Sequence, residues 1–535
     1  RNPSDVSDLI GNYAQADRPE LEEAIAAARA AQPAWWAAGI QKRHDVLMAI
    51  GTELMARSPE IGALVAREEG KPRAEGVGEV YRAGQFFTYY AAEVLRQMGD
   101  FAQSVRSDID IDVRREPVGV VAIVSPWNFP VATPAWKIAP ALAFGNAVVW
   151  KPANLTPASA VALAEIIARQ DMPGGLFNLV MGPGRAVGEA LVSHPGIDAI
   201  SFTGSVSVGR GIAAAAVPNM TKVQMEMGSK NPMLILDDAD LDLAVAHATG
   251  AAFGGTGQKC TAASRLIVHA AVHDEFVARL VDAARALKVG HALEEGTQIG
   301  PVVSAGQLAQ NLAYIEQGRA EGAELLCGGE RLERATEGYY MAPAVFAGTR
   351  NDMGLNREEM FAPITYVIKV DSYDEALSVA NDSEFGLTAG IMTRSLARAN
   401  HFRAHMRAGT VMVNLPTAGT DYHVPFGGRG ASSMPLSFTP RSRQPMSRGD
   451  CRNEHGDRRA AICQLVGKDL SPDARRWRGR GACHDHLSRE FPRNGAENRG
   501  VEPTLRAVSR SDLSGVRGRG RDPRKRDRAH RDFLW

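Results

Sequence analysis

The sequence predicts an α/β protein built on doubly wound, parallel sheets. Strands apolar on both faces belong to parallel sheets with helices packed on each side. From residue 118 onward, short β-branched runs of this kind alternate with stretches of helical spacing, and they are VGVVAIV, AVVW, FNLVM, AISF, KVQMEM and PMLIL. The chain has 535 residues, too many for one hydrophobic core, so we expect two or more domains.

The remaining elements follow in chain order. Apolar positions recur at helical spacing over 20–66 and 78–98. Polar and apolar residues alternate over 104–119, which predicts a two-stranded hairpin. Thr156, followed by proline, occupies the N-cap position of the predicted helix TPASAVALAEIIARQ. A second strand–helix region is expected over about 260–415.

Composition narrows the class of protein. The formal net charge is zero, so we expect neither nucleic acid nor a membrane as a partner. Cysteines are sparse and lack metal-ligand spacing, which predicts a reducing compartment and no metal site. Because there is neither a basic-then-apolar leader nor a run of ~20 apolar residues, we expect a cytoplasmic protein.

Polar residues follow several predicted strands at their carboxyl ends, where open parallel sheets bind ligands. Asn128 follows VVAIVSPW, Lys151 ends AVVWK, Gly204 and Ser205 follow AISFT, and Glu226 ends KVQME. The turn FTGSVSVGR has GxxxxG spacing and opens a predicted helix, so it is either a pyrophosphate site or an ordinary turn. Side chains of this kind at one sheet edge predict a single crevice.

The nucleophile candidate is Cys260, in GQKCTA after the glycine-rich run FGGT. A free cysteine is more often a small buried hydrophobe than a reactive group. Glu226, between apolar residues in MEMGSKNP, is either a buried ion-paired carboxylate or a general base. Asn128, in PWNFP, is either a turn residue or an oxyanion donor. Taken singly, these residues leave the alternatives open.

Together these motifs resemble the aldehyde dehydrogenase superfamily. The matching segments are PWNFP, KPAN, FTGSVSVG, MEMGSKNP, GQKC, EEMFAP and PFGG, in family order within residues 1–433. The resemblance implies a Rossmann-type cofactor domain over 1–99 and 119–228, a bridging and oligomerisation hairpin over 100–118, and an α/β catalytic domain over 229–433. A homodimer or homotetramer is the implied assembly.

The resemblance also implies a reaction. The Cys260 thiolate attacks an aldehyde, while the Asn128 amide and the Cys260 N–H hold the oxyanion. Hydride passes from the thiohemiacetal to NAD or NADP, and water activated by Glu226 hydrolyses the thioester. The implied cofactor-binding residues are Lys151, Asn154, Gly204, Ser205, Gly209, Glu359 and Phe361. Members that prefer NAD often carry Glu at the position of Asn154, so we expect this chain to accept NADP as well.

Within the family, the segments RNPSD, EVYRAGQFF, GQKCTAASRLIV and NREEMFAP are most similar to α-ketoglutaric semialdehyde (2,5-dioxovalerate) dehydrogenases. This similarity implies oxidation of that semialdehyde to 2-oxoglutarate; succinic or glutaric semialdehyde, or aliphatic aldehydes broadly, are the alternatives. Phe129, Trp136 and Phe426 are expected to line an apolar tunnel. Arg82 is expected to pair with a substrate carboxylate, the alternative being a surface arginine.

The resemblance stops after PFGGRGASS, near Ser433. Residues 434–535 carry 24 Lys and Arg against 13 Asp and Glu, whereas 1–433 carry 37 against 48. This Arg/Gly/Pro-rich tail suggests a frameshift near 430–434, and the rival hypothesis is a basic arm that binds nucleic acid. The chain is therefore an active dehydrogenase, an inactive frame-damaged product or a basic-tailed binding protein.

Overall fold

The computed structural model describes residues 1–96 and 99–434, together with the backbone of 463–466. The frameshift and basic-arm hypotheses for 434–535 therefore concern a segment that, apart from Met434 and that short stretch of backbone, lies outside the described residues. Within the described part, no helix is long and apolar enough to cross a membrane.

The helices begin with four that precede the first sheet. In chain order the helices are α1 (Arg18–Ala37), α2 (Gly39–Ala56), α3 (Ser58–Glu69), α4 (Arg73–Leu95), α5 (Ala132–Ala143), α6 (Pro157–Ala168), α7 (Glu189–Ser193), α8 (Val206–Ala216), α9 (Leu241–Phe253), α10 (Ala270–Ala286), α11 (Ala305–Ala320), α12 (Gly354–Arg357), α13 (Tyr373–Asn381) and α14 (Leu396–His405). Both N-terminal helical stretches expected from periodicity are present. Long helix α4 packs closely on α3 and α2. Glycine permits this approach at Gly76 and Gly84, where a side chain would collide with the backbones of those helices.

The strands form three sheets. In chain order they are β1 (Asp100–Gln103), β2 (Asp110–Val113), β3 (Val120–Val124), β4 (Ala147–Lys151), β5 (Phe177–Leu179), β6 (Ala199–Thr203), β7 (Lys222–Glu226), β8 (Asn231–Ile235), β9 (Ala263–His269), β10 (Glu324–Cys327), β11 (Ala344–Ala347), β12 (Ile364–Val370), β13 (Thr388–Met392), β14 (Thr410–Val413), β15 (Ser433–Met434) and β16 (Cys463–Val466). The β1–β2 hairpin is antiparallel, and it begins before the stretch expected from alternation, 104–119.

The first large sheet has the order β15-β7-β6-β3-β4-β5. All its neighbours are parallel except β15, which runs antiparallel to β7. Strands β3 and β4 are almost wholly buried, as expected for apolar runs covered on both faces. Helices α1 and α5 pack against this sheet within one large hydrophobic cluster.

The second large sheet has the order β10-β11-β12-β9-β8-β13-β14-β16. It is parallel apart from the β10–β11 pair. Two parallel-dominated sheets with helices between the strands confirm the doubly wound α/β prediction. The domain boundaries remain a proposal, and β15 shows that the chain returns to the first sheet after the strands β8 to β14 of the second.

The start of α6 shows how far local sequence rules reach. The helix begins at Pro157 after Thr156, as expected, but the Thr156 hydroxyl caps nothing. Instead the buried Glu68 carboxylate accepts hydrogen bonds from the backbone N–H groups of Ala158 and Ser159, at 2.7 and 2.8 Å. A carboxylate distant in sequence thus satisfies the free N–H groups of the first turn.

Candidate active site

The crevice predicted from strand ends is present in the first sheet. Strands β4, β3, β6 and β7 are parallel neighbours, so their carboxyl ends share one edge. Lys151 and Glu226 are the last residues of β4 and β7, and both are buried. Gly204 and Ser205 follow β6, and Asn128 lies in the loop after β3.

Cys260 lies in a loop whose backbone is tightly constrained. A short 3₁₀ turn, Gly254–Gly257, links α9 to this loop. Gly257 has φ +67°, and a side chain there would collide with the carbonyl of Ala362. The Asn231 amide donates to the Cys260 carbonyl at 2.8 Å, which fixes the backbone at the cysteine itself. The loop therefore presents the thiol at a defined position.

The Asn128 side chain is buried and faces the Cys260 loop. Its Nδ2 donates to the carbonyl of Gln258 at 2.9 Å, two residues before the cysteine. An amide nitrogen carries two N–H donors, so the second is available in principle to an oxyanion. The backbone carbonyl of Asn128 accepts from the buried Lys71 ammonium at 2.6 Å. Lys71 also pairs with Glu79 at 2.6 Å, and this buried ion pair braces the loop.

Glu226 is buried and accepts a hydrogen bond on each carboxylate oxygen. Gln224 Nε2 donates to Oε1 at 3.0 Å, and the Ser433 hydroxyl donates to Oε2 at 2.5 Å. Burial raises the pKa of Glu226 to about 8, although the Ser433 hydrogen bond and the charge of Lys137 oppose that rise. A carboxyl with this pKa changes protonation state near neutral pH, which suits a general base.

One cavity of about 310 Å³ joins Cys260 and Glu226. The four substrate-pocket residues expected from sequence also line it: Arg82, Phe129, Trp136 and Phe426. Trp136 stacks on Phe86 with ring centroids 4.4 Å apart and lies 5.1 Å from the ring of Phe426. The structure thus brings together an apolar passage, a thiol and a carboxyl.

Arg82 supplies positive charge to this cavity. It lies on α4, half-buried, with its guanidinium 5.6 Å from the centre of the Tyr422 ring. In the part of the chain described here, Arg82 forms no ion pair, whereas the neighbouring Lys259 ammonium is paired with Glu75 at 2.9 Å. Of these two cations, Arg82 is therefore the one with capacity for an incoming carboxylate.

The side chain of Cys260 is half-buried, and its thiol loses its proton only at high pH. Burial, then the charges of Glu359 and Glu226, raise its pKa to about 12. Cys260 is therefore a thiol at neutral pH in this structure, and it needs a base to become a nucleophile. The buried Lys137 lines the same cavity, and desolvation lowers its pKa to about 7.

The residues expected at the cofactor site lie on two sides of the crevice. Ser205 is the N-cap of α8 and accepts from the Val208 N–H at 3.4 Å. Asn154 is exposed beyond the end of β4, while Gly209 is buried against Met227. A glycine-containing turn with an uncovered helix N-terminus and a nearby lysine has the donors that a pyrophosphate needs.

Glu359 and Phe361 come from the loop before β12. The Glu359 carboxylate accepts from the Ser229 N–H at 2.9 Å and lies so close to Gly228 that a side chain there would collide with it. Burial raises the pKa of Glu359 to about 7. Phe361 has φ +55° and meets Trp127 edge to face at 5.5 Å. Such a left-handed aromatic residue is strained and is typically held for function.

Sequence reasoning missed several residues that support this site, namely Lys71, Glu79, Lys137, Lys259 and Ser433. The partners of Lys71 lie 8 and 57 residues away, so no local motif contains the interaction. Ser433 lies 207 residues from Glu226. The sequence offers one indication of such residues, which is a lysine within a predicted strand–helix region. A lysine buried there needs a partner, but the sequence does not identify that partner.

Comparison with known proteins agrees with the geometry. The sequence model described as "Aldehyde dehydrogenase family" matches residues 1–439. The α-ketoglutaric semialdehyde dehydrogenase of Bacillus subtilis (strain 168) is 43% identical over 81% of this chain and 89% of its own length. An α-ketoglutarate semialdehyde dehydrogenase of Haloferax volcanii is 40% identical over 81% and 90%. A crystal structure of Staphylococcus aureus betaine aldehyde dehydrogenase in complex with NAD+ has a TM-score of 0.80 and 30% identity, covering 82% of this chain and 88% of that one.

Proposed function

The chain belongs to the aldehyde dehydrogenase family, and we propose that it oxidises α-ketoglutaric semialdehyde to 2-oxoglutarate with NAD or NADP. One observation carries the proposal: a single cavity holds Cys260, Glu226 and Arg82 together. These three side chains supply a nucleophile, a base and a cation for the distal carboxylate. Two of the similar proteins act, by their names, on this semialdehyde.

The first step is attack by Cys260 on the aldehyde carbon. The raised pKa of the thiol means that a proton must leave as the C–S bond forms, and Glu226 and Lys137, which line the same cavity, can accept it and pass it to solvent before hydrolysis begins. The oxyanion that forms is held by the Asn128 amide and the Cys260 N–H. The brace of Lys71 on the Asn128 carbonyl keeps that amide in place.

The dinucleotide fits the crevice on observations from this chain. The exposed N-terminus of α8, with Ser205 as its cap, offers N–H groups and a hydroxyl to a pyrophosphate, and Lys151 ends β4, two strands away from β6 along the same sheet edge. Glu359 would hold a ribose, with Phe361 beside it. A dinucleotide bound there would supply the acceptor for the hydride that leaves the thiohemiacetal carbon.

The second half of the reaction is hydrolysis of the Cys260 thioester. Glu226, oriented by Gln224 and Ser433, removes a proton from the attacking water. The buried aromatic wall of Trp136 and Phe426 restricts bulk water around the thioester. Release of 2-oxoglutarate restores the free thiol.

Replacing Arg82 by alanine is expected to raise KM for α-ketoglutaric semialdehyde by about 10-fold or more, because a charge-assisted hydrogen bond is lost. KM for a neutral aldehyde such as propanal should change little. Steady-state kinetics with both substrates measure this. The control is Arg73→Ala, an exposed arginine on the same helix outside the cavity. Equal KM changes for the two aldehydes would show that Arg82 does not bind the substrate carboxylate.

The cofactor proposal concerns Asn154, the exposed residue beyond β4. Since a neutral amide does not repel a 2′-phosphate, kcat/KM for NADP should lie within about tenfold of that for NAD. Asn154→Glu is expected to lower kcat/KM for NADP by about tenfold while leaving NAD nearly unchanged. Coenzyme titrations of both proteins measure the ratio. A wild-type enzyme strongly selective for NAD would refute the proposal.

We also propose a cytoplasmic, homo-oligomeric enzyme with the domain division expected from sequence. The sparse cysteine content supports a reducing location. The hairpin β1–β2 supports association, since its strands expose Phe101 and Val113 to solvent.

A further inference from the structure

Strand β15, Ser433–Met434, lies beside the carboxyl proposed as the catalytic base. Strand β15 pairs antiparallel with β7 and places Ser433 directly opposite Glu226. The side chains meet as well as the backbones, because Ser433 Oγ lies 2.5 Å from Glu226 Oε2. Both residues are buried, at 8% and 4% exposure. Bulk water therefore does not compete strongly for this hydrogen bond.

The Ser433 hydroxyl is itself held in place. Its oxygen accepts the N–H of Gly428 at 2.6 Å, which leaves the hydroxyl hydrogen for Glu226. Toward an ionised carboxylate a hydroxyl can only donate, and such charge-assisted bonds are the strong ones. The contact thus favours the ionised form of Glu226 and one position of its Oε2 atom.

We propose that Ser433 is a positioning residue that fixes the orientation and basicity of Glu226 for thioester hydrolysis. The inference rests on the proposed function, since it takes Glu226 as the base. It goes further by making the hydrolytic half of the reaction depend on the chain segment at 430–434. The same turn is anchored from its other side by Ser432, whose hydroxyl donates to the Gly228 carbonyl at 2.9 Å.

The charged groups that face Glu226 set the direction of the expected change. Lys137 on α5 lowers the pKa of Glu226, and the ionised carboxylate in turn raises the pKa of Cys260 in the facing loop. The Ser433 hydrogen bond acts in the same direction as Lys137. Removing the hydroxyl therefore raises the pKa of Glu226 and leaves less carboxylate at neutral pH.

The test is the decay rate of the acyl adduct on Cys260, followed by rapid quenching and intact-protein mass spectrometry across pH 6–10. For Ser433→Ala, the pH midpoint of deacylation is expected to move up by about one unit, with adduct formation retained. Ser433→Thr keeps the hydroxyl and should follow the wild type. Ser58→Ala is the matched control, since it removes a buried hydroxyl on α3 that donates to the Met55 carbonyl and lies outside the cavity, and its midpoint should not move.

Each outcome decides the inference. A Ser433→Ala midpoint equal to the wild-type value, or an equal shift in Ser58→Ala, would overturn the inference. If Ser433→Ala does not fold, Ser433→Cys replaces the hydroxyl by a weak donor of similar shape; a higher midpoint supports the inference and an unchanged one contradicts it. Glu226→Gln tests separately whether Glu226 is the base. If its acyl adduct persists while the pH midpoint of Ser433→Ala is unchanged, only the role of Ser433 is refuted. No adduct in any variant would refute the proposed function itself.

Discussion

Replacing Cys260 by alanine is expected to reduce aldehyde-dependent NAD(P)H formation by at least about 10⁴-fold. The thiol is the one group in the 310 Å³ cavity able to form the covalent thiohemiacetal, so its loss removes the pathway rather than slowing one step. The thiol is also half-buried in a rigid loop, so the smaller side chain should leave the fold intact. Absorbance at 340 nm measures the rate.

Cys327 provides the matched control. It is the other cysteine whose side chain the structure describes, and it is buried at the end of β10 away from the cavity. Cys327→Ala is expected to retain activity, with a modest loss of stability from the small void it leaves. Residual activity in Cys260→Ala above a hundredth of wild type would show that the nucleophile lies elsewhere.

Replacing Glu226 by glutamine should produce a different defect from the loss of Cys260. The amide cannot accept a proton, so thioester hydrolysis is expected to slow by about 10²–10⁴-fold. Hydride transfer precedes hydrolysis, so a burst of about one NAD(P)H per active site should remain, because Lys137 in the same cavity can take the thiol proton. Stopped-flow absorbance separates the burst from the steady state. Complete loss of the burst would instead make Glu226 the required acceptor of the Cys260 proton.

The pH dependence of wild-type deacylation follows from the same carboxyl. Its pKa is raised by burial to about 8, so the base is mostly protonated below that pH and ionised above it. The deacylation rate should therefore increase through pH 8 and level off above it. A carboxyl near its ordinary pKa would give a flat profile between pH 6 and 9 instead.

Glu68 offers a control for the loss of a buried carboxylate. It accepts hydrogen bonds from Ala158 and Ser159 at the start of α6 and does not line the cavity. Glu68→Gln should lower the melting temperature while the pH midpoint of deacylation stays in place. A shift in that midpoint would mean that the profile reports general destabilisation.

The sequence predicted the architecture, and it also singled out Cys260 and Glu226, which the structure places in one cavity, because both depend on local patterns. Apolar strands of five residues bounded by glycine-rich turns give β3, β4 and β6, and a parallel order brings their ends to one edge. Cys260 and Glu226 lie in motifs short enough to recognise. The boundaries were less accurate where a pattern is weak, as in the β1–β2 hairpin.

The supporting residues could not be predicted because their partners are distant in sequence. The role of Lys71 depends on its hydrogen bond to the Asn128 carbonyl, and the role of Ser433 depends on its hydrogen bond to Glu226. The capping of α6 by Glu68 is of the same kind. Long-range hydrogen bonds of buried polar groups are dictated by the assembled core, where an unpaired group is costly.

The C-terminal tail, 434–535, lies mostly outside the part of the chain that matches the family. The family match ends at residue 439, which places most of 434–535 beyond it. The residues proposed for catalysis all precede that point, and the last of them to contact the base is Ser433. The chemistry is thus encoded in the matched part of the chain.

The most direct measurement is the initial rate of NAD(P)H formation by the purified full-length chain with α-ketoglutaric semialdehyde. The proposed function predicts a saturable, aldehyde-dependent rate, with one 2-oxoglutarate formed per NAD(P)H and inhibition by a thiol-alkylating reagent that labels Cys260. A folded protein that binds the dinucleotide yet shows no such rate with this or any other semialdehyde would contradict it.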